Sequence, residues 1–123
     1  MSCHVLFPRI DAVPASLSSK FLTSELRGRL GFTGPIFSDD IMMSALDTIA
    51  APEGLARMAL EAGSDMVLLC NSDEAADQVL ELAELSPQSE ASRRRLEMMR
   101  PDAAYRADDA LMNEAREQVT RYI

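Results

Sequence analysis

The sequence predicts an α/β fold built on parallel strands. Three short apolar runs occupy residues 4–8, 35–38 and 65–70 and read HVLFP, PIFS and DMVLLC. They recur about every 30 residues, which is the size of one strand with its crossover helix. None of them alternates between apolar and polar residues, a feature typical of parallel strands that are buried on both faces.

The segments between these runs have the apolar spacing of amphipathic helices. The helix between the first and second runs has Ser18 as a possible cap and Gly31 as its end. The helix between the second and third runs has Pro52 in its first turn and closes at Gly63. The order strand, helix, strand, helix predicts βαβ units.

A third helix follows the last apolar run, with Ser72 as its cap. Beyond it the pattern changes, since residues 86–100 and 107–123 both predict amphipathic helices and no fourth strand is evident. We therefore expect a partial barrel in residues 1–85 and a group of C-terminal helices in residues 86–123.

Composition narrows the class of protein. The 123 residues are 47% hydrophobic and 26% charged, which suits one domain with a modest core. The net charge of −8 would repel nucleic acid and anionic membranes. No basic leader precedes an apolar segment, and no apolar stretch approaches the roughly 20 residues that span a bilayer, so a cytoplasmic location is expected.

The two cysteines, Cys3 and Cys70, are far apart in the sequence, and each lies beside or within an apolar run. A free thiol in such a position usually packs as a small hydrophobic group. We expect neither a disulfide nor a metal site, and the sequence implies no cofactor.

Two adjacent carboxylates, Asp39 and Asp40, follow the second predicted strand. Loops at the carboxyl ends of parallel strands usually carry the chemistry of α/β folds, so either carboxylate is a candidate for a catalytic group. The simpler alternative is that one caps the next turn while the other is solvated. A further possibility is that Asp40 orients Asp39 or binds the loop that follows.

Other polar residues have weaker claims to a site. Asn71 ends the third predicted strand on the same rim as Asp39, and is either a substrate contact or a turn residue. Asp65, at the opposite end of that strand, is expected in a turn. His4 opens the first predicted strand, far from the chemistry, and is expected to be structural. Arg93 to Arg95 are expected on a solvated helix face.

Residues 26–43, LRGRLGFTGPIFSDDIMM, resemble the active-site signature of glycoside hydrolase family 3, in which an apolar strand leads to Ser or Thr and then to the catalytic Asp. Residues 4–32 and EAGSDMVLLCN at 61–71 resemble the flanking segments in the bacterial β-N-acetylhexosaminidases of that family. The resemblance covers about residues 3 to 100. The sequence departs from the signature at two positions. Pro35 replaces an ordinary apolar residue, and Met42 stands where Ser is usual.

The resemblance implies a retaining hydrolase that releases terminal N-acetylglucosamine, such as that of cell-wall muropeptides. It places the nucleophile at Asp39, and the three predicted strands would be the sixth to eighth of an eight-stranded (β/α) barrel of about 250 residues. The family's acid/base histidine and its sugar-binding residues belong to a preceding segment.

The chain alone is therefore expected to be inactive. Two alternatives stay open: a truncated, inactive fragment, or a half-barrel that completes its site with another polypeptide. Unpaired strand edges would favour self-association in either case.

Overall fold

The computed structural model describes residues 1–85, 89–101 and 108–121. The described elements combine helices with a parallel sheet, as the sequence predicts. A 3-10 turn (Ala15–Leu17) and a π-helix (Lys20–Arg29) come first. They are followed by strand β1 (Phe37–Asp40), a second 3-10 turn (Ser44–Leu46), helix α1 (Pro52–Ala62) and strand β2 (Met66–Leu68). The remaining elements are helices α2 (Asp73–Leu85), α3 (Glu90–Glu97) and α4 (Asp109–Thr120).

The described sheet has two parallel strands, β1 and β2, with Phe37 opposite Met66 and Asp40 opposite Leu68. The register is irregular between these pairs. The buried hydroxyl of Ser38 fits into this irregularity and accepts a hydrogen bond of 2.9 Å from the Leu68 amide. A side-chain oxygen thus satisfies a backbone donor that a regular ladder would pair with a carbonyl.

The predicted strand at residues 4–8 is wrong. Ser2 donates its amide to the Phe37 carbonyl at 2.8 Å, so the chain already runs beside β1 at its second residue. By Phe7 the chain turns, because the Ile10 amide donates to the Phe7 carbonyl. The apolar residues Val5, Leu6 and Phe7 are 42–51% exposed. The segment that accompanies β1 therefore lies a few residues earlier than the apolar run.

The other two strand predictions are correct in kind and shifted in position. The run at 35–38 becomes β1 at Phe37–Asp40, because Pro35 has no amide to donate to a ladder. The run at 65–70 shortens to Met66–Leu68. The shift makes Asp39 and Asp40 the last two residues of β1, rather than the first residues of the loop after it.

Helix α1 carries the apolar stripe that covers the sheet. The main buried cluster joins α1 to the loop after β1, and consists of Leu17, Ile41, Leu46, Leu55, Ala56 and Ala59. The helix ends at Gly63, whose φ of 119° is left-handed. A Cβ there would lie 2.7 Å from Thr23 Oγ1, and that hydroxyl donates to the Ala62 carbonyl. Glycine is therefore required both by conformation and by space.

The polar centre of the fold is Asp65, at the amino end of β2, which is 1% exposed. Its Oδ2 accepts from Arg27 Nη2 at 2.6 Å and from the Ile36 amide at 2.8 Å. Its Oδ1 accepts from Arg95 Nη2 and from Ser92 Oγ, both at 2.6 Å. One carboxylate thus ties together the π-helix, the start of β1, the start of β2 and α3.

This arrangement bears on two expectations. Asp65 lies in the bend between α1 and β2, as expected of a turn residue, and it is buried there. Arg95 is not on a solvated face, since its side chain is only 20% exposed. Arg93 and Arg94, at 63% and 78%, do lie in solvent as predicted. Adjacent helical residues point in directions about 100° apart, so one of the three arginines faces inward while its neighbours do not.

The pKa of Asp65 is lowered from its ordinary value of 3.8 by the balance of two opposed effects. Burial raises the pKa, because it disfavours the charged carboxylate. Hydrogen bonds from Arg95, Ser92 and the Ile36 amide, with the positive charge of Arg95, lower the pKa by more. The carboxylate is therefore ionised in the folded chain at neutral pH.

The two C-terminal helices differ in how they are held. Helix α3 is anchored through Ser92 and Arg95, and Ser89 caps it by accepting from the Ser92 amide at 3.1 Å. Helix α4 is capped by Asp108 and has no buried residue. The predictions of both helices are confirmed over Glu90–Glu97 and Asp109–Thr120; residues 86–88, 102–107 and 122–123 lie outside the described part of the chain. None of the described helices has the length and apolar character needed to cross a bilayer.

Replacing Asp65 by Asn should lower the free energy of unfolding by about 3 kcal/mol, because two arginines lose the charge that compensates them in a buried site. Urea unfolding followed by circular dichroism would measure this. Asp77→Asn is the matched control, since Asp77 lies exposed on α2 and its loss should change stability by less than about 0.5 kcal/mol. Equal effects of the two substitutions would contradict the role assigned to Asp65.

The Asp65 carboxylate should also make the free energy of unfolding depend on pH in the acid range. Its folded pKa is below that of the unfolded chain, so its contribution is complete above the unfolded value of about 4 and is lost as the pH falls through the folded pKa. Unfolding free energies measured from pH 6 to pH 2 should fall less steeply below pH 4 in Asp65→Asn than in the parent chain. Parallel curves for the two proteins would contradict this.

Candidate active site

The candidate site lies at the carboxyl ends of the two strands. Asp39 and Asp40 are the last residues of β1, and Asn71 follows β2 by three positions. Because the strands are parallel, these residues lie at the same edge of the sheet. Asp65 lies at the opposite edge, at the start of β2.

Asp40 holds the loops together. Its Oδ1 accepts from the Met42 amide at 3.0 Å and from the Cys70 amide at 3.1 Å, so one oxygen joins the loop after β1 to the loop after β2. Its carbonyl oxygen lies 2.9 Å from His4 Nε2. The alternative in which Asp40 binds the following loop is thus the one that the geometry favours.

Asp39 is held more lightly. Its residue is half-buried, and its Oδ1 accepts from the Asp40 amide at 3.0 Å. Ser38 binds the Leu68 amide of β2 and Asp40 binds the Cys70 amide just after it, so the alternation of a strand places Asp39, between them, on the other side. Within the described residues, no lysine, arginine or histidine forms an ion pair with it. The Asp39 carboxylate therefore lies at this edge without a neighbouring cation from the described residues.

His4 lies closer to this edge than the sequence indicated. Its Nδ1 is 2.6 Å from Ser16 Oγ, and its Nε2 contacts the carbonyl of Asp40 at the end of β1. The expectation that His4 is on the far face is wrong, because the residues beside β1 begin at Ser2 and the chain has already reached the carboxyl end by His4. Both ring nitrogens have partners, as expected of a structural histidine.

Ser16 was not singled out from the sequence. It is fully buried, and its amide also donates to the Cys3 carbonyl at 2.9 Å. It is one of three serines in residues 14–19, PASLSS, and no local pattern separates it from the other two. Its partner is twelve positions away, which is why sequence reasoning missed it.

Asn71 is exposed and adopts a left-handed conformation, with φ of 73°. Asparagine tolerates this conformation better than most residues, which accounts for a turn at this position. Cys70, beside it, and Cys3 are both free and exposed, so the expectation that they pack as buried hydrophobic groups is wrong.

Asp39 lines neither of two surface depressions, one of about 490 Å³ beside residues 6–10 and one of about 440 Å³ beside α4. No group of three or more metal-ligating side chains occurs in the described ranges.

Known proteins resemble this chain in both sequence and structure. Residues 1–98 match the family model described as the glycosyl hydrolase family 3 N terminal domain. A curated β-hexosaminidase of Nitrosospira multiformis is 50% identical over 80 residues, which are 65% of this chain and 23% of that protein. The β-hexosaminidase of Bordetella parapertussis is 37% identical over 121 residues, which are 98% of this chain and 34% of that protein. The chain thus spans about a quarter to a third of these relatives' length.

Solved structures agree with the sequence matches. Native NagZ from Neisseria gonorrhoeae superposes with a TM-score of 0.70 and 31% identity, covering 91% of this chain and 33% of that one. A glycoside hydrolase family 3 β-N-acetylglucosaminidase from a Paenibacillus species gives a TM-score of 0.71 and 30% identity, covering 85% and 23%.

The two carboxylates should differ in their effect on stability. Asp40→Ala should cost about 1–3 kcal/mol of unfolding free energy, because the Met42 and Cys70 amides lose their acceptor. Asp39→Asn should change stability by less than about 0.5 kcal/mol, because the amide oxygen still accepts from the Asp40 amide. Urea unfolding of both variants tests this. A larger loss in Asp39→Asn than in Asp40→Ala would reverse the assignment.

Proposed function

Because the chain belongs to glycosyl hydrolase family 3, we propose that it supplies the nucleophile, Asp39, of a retaining β-N-acetylhexosaminidase. The observation that carries the proposal is a half-buried carboxylate at the carboxyl end of β1 that has no ion-pair partner in the described residues. A carboxylate that is ionised and not neutralised by a neighbouring cation is suited to attack an electron-poor carbon.

In the proposed reaction, Asp39 attacks the anomeric carbon of a terminal N-acetylglucosamine, and the bond from that carbon to the leaving oxygen breaks. The leaving oxygen takes a proton from a general acid, and a glycosyl ester of Asp39 remains. Water then attacks the same carbon, gives a proton back to the general base and frees the carboxylate. The negative charge of Asp39 also stabilises the oxocarbenium-like transition states of both steps.

The general acid is proposed to come from outside the described residues. His4, the chain's one histidine, has both ring nitrogens engaged by Ser16 and Asp40 and is therefore poorly placed to protonate a leaving group. This agrees with the expectation that the acid/base group of the family belongs to a preceding segment.

We also propose that β1 and β2 are the seventh and eighth strands of a (β/α) barrel, and that the segment beside β1 at residues 2–4 ends the sixth. The parallel ladder, the crossover helix α1 and the coverage of larger relatives support this. The division into a partial barrel at 1–85 and C-terminal helices at 86–123 belongs to the same proposal.

The proposed substrate is a sugar with a terminal N-acetylglucosamine, including the muropeptides of a cytoplasmic recycling route. A structure of N. gonorrhoeae NagZ in complex with N-trifluoroacetyl-D-glucosamine supports the choice of sugar. Asn71 is the proposed substrate contact on this chain, since it is exposed at the same edge as Asp39.

A second candidate is a half-barrel that requires another polypeptide, or that associates with itself. The described part of β2 pairs with β1 alone, so its other edge presents backbone donors and acceptors. Such an edge favours the addition of a strand from elsewhere.

The catalytic proposal can be tested in a chimera in which residues 1–98 replace the matching segment of N. gonorrhoeae NagZ. The chimera should release p-nitrophenol from p-nitrophenyl N-acetyl-β-D-glucosaminide. Asp39→Asn should lower kcat by roughly 10⁴-fold or more, the scale seen when a covalent nucleophile is removed. The chain alone should show little turnover, because it lacks a described general acid.

Asp47→Asn is the matched control, because Asp47 is an exposed carboxylate in the loop after β1 and should leave kcat unchanged. A fluorinated glycoside that slows release of the covalent intermediate should add its mass to the peptide containing Asp39. Full activity in Asp39→Asn, or labelling of a different peptide, would refute the proposal. Turnover by the chain alone that depends on protein concentration would instead support self-association.

A further inference from the structure

The described structure contains a series of two hydrogen bonds that ends at Asp40, beside the proposed nucleophile. It runs from Ser16 Oγ to His4 Nδ1 over 2.6 Å, and from His4 Nε2 to the Asp40 carbonyl over 2.9 Å. We propose that Ser16 and His4 are positioning residues, which hold the Asp40 main chain and through it the carboxylate of Asp39. This rests on the proposed function of Asp39.

The partners of His4 determine where its proton lies. A carbonyl oxygen only accepts hydrogen bonds, so Nε2 must carry a proton to bind the Asp40 carbonyl. In a neutral imidazole Nδ1 is then an acceptor, and the Ser16 hydroxyl donates to it. The contact therefore selects the Nε2–H tautomer, and Ser16 contributes by stabilising that tautomer.

The local backbone keeps these two side chains together. The Ser16 amide donates to the Cys3 carbonyl and the Ala15 amide donates to the Val5 carbonyl, both at 2.9 Å, so hydrogen bonds form on each side of His4. Ser16 itself is fully buried. Because the backbone on both sides of His4 is held, the imidazole loses little further freedom when it binds the Asp40 carbonyl, and its geometry is fixed.

Asp40 is the link to the nucleophile. The peptide group that joins Asp40 to Ile41 is held from both sides, since His4 binds its carbonyl and its amide donates to the Leu68 carbonyl at 3.0 Å. This held plane meets the preceding peptide group at the Asp40 Cα, and the amide of that preceding group donates to Asp39 Oδ1 at 3.0 Å. One carboxylate oxygen of Asp39 is thereby oriented, and attack is left to the other.

The single histidine of this chain allows a direct test. Long-range ¹H–¹⁵N spectra of the 123-residue chain at neutral pH should show the Nε2–H tautomer, and Ser16→Ala should shift the two ¹⁵N signals toward a mixture of tautomers. A predominant Nδ1–H tautomer in the parent chain would overturn the proposal. So would identical spectra for the parent chain and Ser16→Ala.

Amide hydrogen exchange tests the mechanical link. His4→Ala should speed exchange at the Ile41 amide by about tenfold, as expected for loss of one hydrogen bond. His4→Gln should restore it, because the Gln amide nitrogen lies near the position of Nε2 and donates to the same carbonyl. The Ala59 amide, in α1, should not change. Unchanged exchange at Ile41, or equal acceleration at Ala59, would show that His4 does not act through Asp40. If His4→Ala does not fold, the tautomer measurement with Ser16→Ala decides.

The catalytic consequence is separate from these measurements. In the chimera, His4→Ala should lower kcat by about tenfold with KM within about twofold, and His4→Gln should recover most of the loss. An unchanged kcat in His4→Ala would overturn the positioning role, even where Asp39→Asn is inactive. Full activity in Asp39→Asn would remove the nucleophile proposal while the exchange result on Ile41 stood.

Discussion

The fold depends on one buried carboxylate. Asp65 is the point at which the π-helix, both strands and α3 meet, and four donors from those elements converge on its two oxygens. A sheet with two described strands offers a small apolar core, so contacts that join distant parts of the chain matter more than in a larger domain. The arginines compensate the buried charge, and Ser92 and the Ile36 amide also donate to its oxygens, which is the condition under which a buried ion pair is tolerated.

At the other end of the same strands, two adjacent carboxylates have different surroundings. Asp40 is surrounded by donors from the two following loops and by His4, whereas Asp39 receives one hydrogen bond from its neighbour's amide. The alternation of a strand is what separates them, since it turns successive side chains to opposite sides. A pair that looks redundant in the sequence thus consists of Asp39, which is lightly held, and Asp40, which joins the two following loops.

Local signals predicted the local structure well. Pro52, Gly63 and Ser72 mark the ends of α1 and α2 as expected, because caps and helix-terminal residues act within one turn. The family signature also identified β1 and its carboxylates. Strand bounds were less certain, since an apolar run does not reveal which of its residues pair, and residues 4–8 proved to be a turn and an exposed segment. The roles of Asp65 and His4 were missed because their partners lie 12 to 38 residues away in sequence, where no periodic pattern reports them.

The strand direction places Asp65 and Asp39 at opposite ends of one small ladder. Substitutions in the loops after β1 and β2 therefore fall at the end of the sheet that lies away from Asp65 and its partners Arg27 and Arg95. Under the proposed function, this division lets the side chains around Asp39, apart from Asp40, change during evolution while the ion pairs of Asp65 are retained. Met42, which departs from the usual residue of the signature, lies at the Asp39 end.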